Sequence, residues 1–314
     1  MSTYARQNQT FTLPDGRQLG YAEYGDHSGT PLLYFHGYPS SRLEVYPIED
    51  MARRLHTRIL ALDRPGFGLS TPQPNRSIAD WPTDVSAFAK GMQISRFAVI
   101  GVSGGGPYAL ACAHGLPKEM LSSVGLFASG PPWVAGAHLN SIYRRATRTM
   151  AIHWPTGLRI IFDVLVGASR WLAHFGPVSR RIDRWLEQED KNEKSDNQAL
   201  NGTSATVTPK KTTAERRLEM VHVLLEEPFA QGGRAAVDEA RLLSSDDWGF
   251  SFGSVQYNPV RIWHGAEDTN APVALIRYMV KNLPHCIYHE FEGDTHYTMF
   301  KHIEGAITEL ISEK

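Results

Sequence analysis

Gly101-Val102-Ser103-Gly104-Gly105 sets one serine between two glycines, directly after the apolar stretch Phe97 to Ile100 and before Pro107-Tyr108-Ala109-Leu110-Ala111-Cys112-Ala113. A G-x-S-x-G run between a strand and a helix is the pattern of a nucleophile elbow. The turn forces Ser103 into a strained backbone conformation, and the tight crossing leaves no room for side chains at 101 and 105. Pro107 suits a first helical turn, Gly115 closes the helix, and the helix N-terminus aims partial positive charge at whatever the serine attacks. The chemistry this points to is attack on a carbonyl carbon, which needs a base to take the hydroxyl proton and an acid to orient the base.

For an elbow of this kind the partners follow in the order serine, acid, histidine, each after a later strand. Of 13 histidines, His296 is singled out by position: Gly293-Asp294-Thr295-His296 follows the last apolar strand and precedes the last helix. Gly265-Ala266-Glu267-Asp268 comes one tight turn after the strand Val260 to Trp263, so Asp268 is the expected acid, with Glu267 as the fallback. Asp294 is too local to brace His296 and reads as a turn residue. A developing oxyanion needs preformed N–H donors. Gly104 offers one, and Tyr38, in His36-Gly37-Tyr38-Pro39 after the third strand, offers the second. His36 is expected to bond locally. Asp63 and Arg64, in Asp63-Arg64-Pro65-Gly66-Phe67-Gly68, read as a charged pair bracing loops, and Arg42 as a salt-bridged or solvated cation that could also meet an anionic substrate.

These side chains need a scaffold, and the apolar pattern supplies one. Short runs rich in β-branched and aromatic residues (Leu32 to Phe35, Ile59 to Leu62, Phe97 to Val102, Val124 to Phe127, Val260 to Trp263, Cys286 to Phe291) alternate with helical stretches, the rhythm of a parallel α/β sheet. Pro14-Asp15-Gly16 between Thr10–Thr12 and Leu19–Tyr24 predicts an antiparallel hairpin at one edge. The rhythm stops after Gly130-Pro131-Pro132 and resumes near Pro259, leaving a helical insertion. Within it Leu158, Ile161, Phe162, Leu165 and Leu172 share one helical face, expected to pack onto the sheet and in part to line a pocket. The polar stretch 187–213 reads as a flexible loop.

Composition narrows the function classes. With 32 Lys and Arg against 33 Asp and Glu, the net charge of -1 gives no pointer to nucleic acid or anionic membrane. Leu158 to Leu172 contains Arg159, Asp163 and Arg170, so no membrane span is expected. The polar N-terminus lacks the apolar core of a signal peptide, which predicts a cytoplasmic protein. Cys112 and Cys286 are too far apart in sequence for a zinc motif and read as reduced thiols.

At these residues the chain resembles the α/β-hydrolase fold superfamily, specifically the capped serine hydrolases that combine an HG-x-P loop, a DRPG-x-G-x-S loop, GVSGGGPYALA and a late WHG-x-x-D. The resemblance implies an eight-stranded, mostly parallel sheet flanked by helices, with a helical cap inserted after strand 6. It divides the chain into a core of 1–130 and 256–314 and a cap of 131–255. It also implies a Ser103, Asp268, His296 triad, a Tyr38 and Gly104 oxyanion hole, and no cofactor or metal. The expected activity is cleavage of an ester, lactone or thioester of a small apolar acyl compound. A C–C bond hydrolase on a β-diketone and a non-catalytic receptor on the same scaffold are the alternatives. Serine at the elbow disfavours the epoxide hydrolase and haloalkane dehalogenase branches, which carry aspartate there.

Overall fold

Gly16, at φ 87°, closes the turn between β1 (Gln9–Thr12) and β2 (Gln18–Gly25), the antiparallel hairpin that the Pro-Asp-Gly signal predicts. A computed structural model describes residues 6–199 and 211–312. The six following strands are β3 (Thr30–Phe35), β4 (Thr57–Leu62), β5 (Phe97–Val102), β6 (Leu121–Phe127), β7 (Val260–Gly265) and β8 (Cys286–Phe291). They form one eight-stranded sheet in the order β1-β2-β4-β3-β5-β6-β7-β8, antiparallel at β1–β2 and β2–β4 and parallel elsewhere.

The strand order places β5 in the middle, where Phe97, Ala98, Val99 and Ile100 are inaccessible to water on both faces, as a parallel strand covered by helices must be. Helices α1 (Glu49–Arg54), α2 (Trp81–Gly91) and α3 (Gly106–Gly115) lie in the first half of the chain, with α9 (Val273–Asn282) and α10 (Ile303–Ile311) near its end. One apolar layer joins Val85, Phe88 and Leu110 to Leu33, Val99 and Ile262, while the other joins Ala52, Ile307 and Leu310 to Leu32, Ile59 and Ile100.

Among the described residues five α-helices run between β6 and β7: α4 (Ile142–His153), α5 (Pro155–His174), α6 (Gly176–Ala199), α7 (Thr213–Val221) and α8 (Arg234–Leu243). This is the helical insertion after strand 6. Two expectations change here. Residues 187–199 continue α6 rather than forming a loop; residues 200–210 of the expected loop lie outside the described residues, and α7 starts at Thr213 under a Thr212–Glu215 capping box. The α5 face also divides: Leu158 is buried and Phe162 partly so, but Ile161, Leu165 and Leu172 face outward. Among the described residues no helix is long and apolar enough to cross a membrane.

Candidate active site

Ser103 stands where β5 turns into α3, with φ at +50°. The turn is feasible because its flanking residues have no side chains. A Cβ on Gly105 would stand 2.1 Å from the Phe35 carbonyl oxygen, and one on Gly101 would stand 2.3 Å from the carbonyl of Gly105 itself. The Gly130 N–H donates to the Ser103 carbonyl at 2.6 Å and fixes the elbow from the β6 side. The hydroxyl is thus held at the C-terminal edge of the sheet, in front of a helix N-terminus.

The structure brings the three expected residues into one hydrogen-bonded chain. Ser103 Oγ lies 3.0 Å from His296 Nε2, and His296 Nδ1 lies 2.7 Å from Asp268 Oδ2. The two partners stand 193 and 28 residues from their contacts, joined only because β5, β7 and β8 end at the same edge. Asp268 is buried, and its other oxygen accepts the N–H groups of Asn270 (2.8 Å) and Ala271 (2.7 Å), which hold the carboxylate plane. Glu267 is exposed and does not take this place. Asp294, two residues from the imidazole, is engaged by Thr298, Lys301 and His302, contacts that hold its carboxyl down at about 2. It shapes the histidine loop and does not brace the ring.

Tyr38 and Gly104 also meet. A Cβ on Gly104 would be 3.2 Å from the Tyr38 nitrogen and 2.7 Å from its Cβ, so the two main chains face each other beside Ser103. Among the described residues the Tyr38 N–H has no hydrogen-bond acceptor, as a donor reserved for a ligand oxygen requires. Its phenol donates to the Ala236 carbonyl on α8 at 2.7 Å, and Ala151, Leu158, Val237 and Ala240 of the insertion pack against its ring.

The loop behind Tyr38 is held by buried charges. His36 bonds locally, as its sequence context predicts: Nδ1 donates to the Gly37 carbonyl (2.8 Å) and Nε2 accepts the Arg64 N–H (3.2 Å). Burial, with Arg64 close by, pushes its pKa well below the usual histidine range and keeps it neutral. Both oxygens of half-buried Glu44 accept the Gly37 N–H, at 2.9 and 3.0 Å; desolvation of this carboxyl pushes its pKa up in spite of those bonds.

Asp63 and Arg64 brace loops as expected but do so with different partners. Fully buried Arg42 pairs with Asp63 (2.9 Å) and with Glu227 of the insertion, which removes it from any substrate. Arg64 donates to the carbonyls of His36 and Gly37 (2.9 Å for the latter) and to Glu239 on α8 (2.6 Å). Arg76 and Tyr108 bind the second Glu239 oxygen, Tyr108 at 2.8 Å. Burial alone would raise the Glu239 carboxyl, but the two guanidinium groups prevail and hold it below the ordinary value. Sequence reasoning missed Glu239 and Glu44. Arg64 and Glu239 are 175 residues apart, and no local motif marks either acid.

The chain belongs to the alpha/beta hydrolase family, whose model matches residues 32–305. A curated proline iminopeptidase of Xylella fastidiosa (strain 9a5c) is 32% identical over 114 residues, 34% of this chain and 35% of that protein, so the chain spans about a third of this relative's length. Among solved structures, the bromoperoxidase from Bacillus anthracis superposes with a TM-score of 0.65 at 16% identity, covering 98% of this chain and 100% of that one. The esterase from Exiguobacterium antarcticum superposes with a TM-score of 0.60 at 15% identity, covering 98% of each. Both likenesses are of fold.

Proposed function

We propose that this protein is a serine hydrolase that cleaves an ester, lactone or thioester of a small, largely apolar acyl compound. The observation that carries the reading is the continuous Ser103–His296–Asp268 chain at a strained elbow. His296 Nε2 takes the Ser103 proton as Oγ bonds to the carbonyl carbon, and Asp268 holds the imidazole in the tautomer that accepts this proton and stabilises its cationic form. The Tyr38 and Gly104 N–H groups receive the oxyanion. Collapse of the tetrahedral species breaks the bond to the leaving group, which takes the proton from His296. Water, deprotonated by the same ring, then releases the acid from Ser103.

The insertion, residues 131–255, acts in this reading as a cap over a core of 1–130 and 256–314. Leu243, whose Cδ1 would lie 3.2 Å from a Cβ on Gly104, gives the acyl group an apolar neighbour. We place the protein in the cytoplasm, in keeping with its unpaired Cys112 and Cys286. The test is intact-mass spectrometry after exposure to a small fluorophosphonate, followed by a panel of esters, thioesters and β-diketones. One adduct, mapped to Ser103 and absent from His296→Ala, is expected, with turnover of esters above diketones. A folded protein that takes no adduct and turns over nothing would overturn the reading in favour of a receptor.

A further inference from the structure

The insertion leaves an unusual amount of apolar surface in water. Of 21 large hydrophobic side chains exposed among the described residues, 16 belong to residues 131–255. Six of them lie on α5 and two more, Trp154 and Phe175, flank it; Ile161, Leu165 and Leu172 belong to the stripe that the sequence pattern places inward. At about 100° per residue, Ile160, Ile161, Val164, Leu165, Trp171 and Leu172 occupy one uninterrupted arc of about 140° on that helix. Val164, Leu165 and Trp171 are 62%, 58% and 64% exposed. Leu158, Phe162 and Val166 point the other way and pack on α8 and its neighbours, so this helix is apolar on both sides while only one side has a protein partner.

Charge distinguishes between the possible occupants. Residues 137–186 contain eight arginines, no lysine and two aspartates, a net +6; the acidic far end of α6, residues 187–199, brings this to +3 over 137–199 in a chain whose total is -1. The whole-chain balance conceals this segregation. Arg145 on α4 and Arg180, Arg181 and Arg184 on α6, the helices that flank α5, are exposed and have no carboxylate partner among the described residues. A second copy docking through the same face would oppose two cationic surfaces. Residues 189–210 contain only Leu200 and Val207 as large apolar side chains, too few to cover the stripe.

An apolar stripe with a tryptophan, rimmed by arginines, matches the interface of an anionic bilayer. We propose that the outer face of α4–α6 docks this protein onto anionic lipid surfaces, with the α5 stripe in the acyl–headgroup boundary and the arginines on the phosphates. The inference is independent of the ester reading, because it concerns binding and not turnover.

Co-sedimentation of the full chain with vesicles tests it, using phosphatidylcholine alone and phosphatidylcholine containing about one-third phosphatidylglycerol. Binding to the anionic vesicles is expected to exceed that to the neutral ones by at least about tenfold, and salt at about 1 M to remove the difference. Val164→Asp with Trp171→Ser should lower binding to both vesicles by at least about tenfold, since it puts a charge and a polar group into the stripe. Arg180→Glu with Arg184→Glu should remove only the preference for anionic lipid. The salt arm needs no variant, and the replaced side chains are exposed, so folding does not confound the result. Vesicle binding that is absent, or indifferent to salt and to both variants, overturns the proposal. So does a dimer in sedimentation velocity that forms without lipid and is abolished by Val164→Asp with Trp171→Ser, which would assign the face to a second copy.

Discussion

The sheet and the insertion use their apolar side chains in opposite ways. In the sheet, Phe97 to Ile100, Leu32 to Phe35 and Ile59 to Leu62 are almost entirely withdrawn from water, and each strand's end is fixed by its neighbours' registers. In the insertion, α5 buries one side and exposes the other. The difference teaches where tolerance lies. At the strand ends, positions 101 and 105 accept nothing larger than glycine, whereas a change on the outer side of α5 meets only solvent.

The comparison breaks most sharply at the elbow. Ser103→Ala and His296→Ala should each cut kcat on an activated ester by a factor of about 10^4 to 10^6, and the double variant should be no worse than either, because the two act as a unit. Equal additive losses in steady-state kinetics would show that they do not. Gly104→Ala comes next: its Cβ would strike Tyr38, and loss of one oxyanion donor costs about 10^2- to 10^3-fold in kcat. Comparison of KM and kcat will show whether binding is spared, as expected.

Glu239→Gln sharpens the boundary between the two regions. It leaves Arg64 and Arg76 buried beside a neutral amide, so unfolding free energy from urea titration should fall by about 3–5 kcal/mol at neutral pH. The pH dependence follows from the depressed carboxyl. A folded pKa below the unfolded one stabilises fully above the ordinary glutamate value of about 4.3 and loses that stabilisation as pH falls through the folded value. The gap between wild type and Glu239→Gln should therefore narrow in acid below about pH 4 and stay constant above about pH 6. The smallest effect belongs to the outer side of α5, where Trp171→Ser should move stability by no more than about 0.5 kcal/mol and leave kcat on a soluble ester unchanged.

What the sequence discloses follows the same division. Ser103 is legible because sterics write glycines around it, and the strands because β-branched runs recur at regular intervals. His296 and Asp268 are legible through chain order and through their places directly after the last two apolar runs. Periodicity found the apolar face of α5 but could not orient it, since a helix apolar over both its inner and outer arcs has no single inward direction. Residues 187–199 lack an apolar stripe and so resemble a loop, yet Glu187, Glu189, Lys191, Glu193 and Gln198 are strong helix formers, and α6 continues through them. Glu239 escaped because a buried ion pair between distant residues carries no local signal.

Arg64 grips the carbonyls of His36 and Gly37 with one part of its guanidinium and Glu239 with another. A single side chain thus fastens the insertion to the loop that presents the Tyr38 amide. An insertion transplanted from another member of the family would have to bring a carboxylate to the position of Glu239, or else leave two cations without a counterion. The insertion is in this sense a keyed part, and the exchange of such parts between scaffolds, in nature or by recombination at the bench, is restricted to those that carry the key.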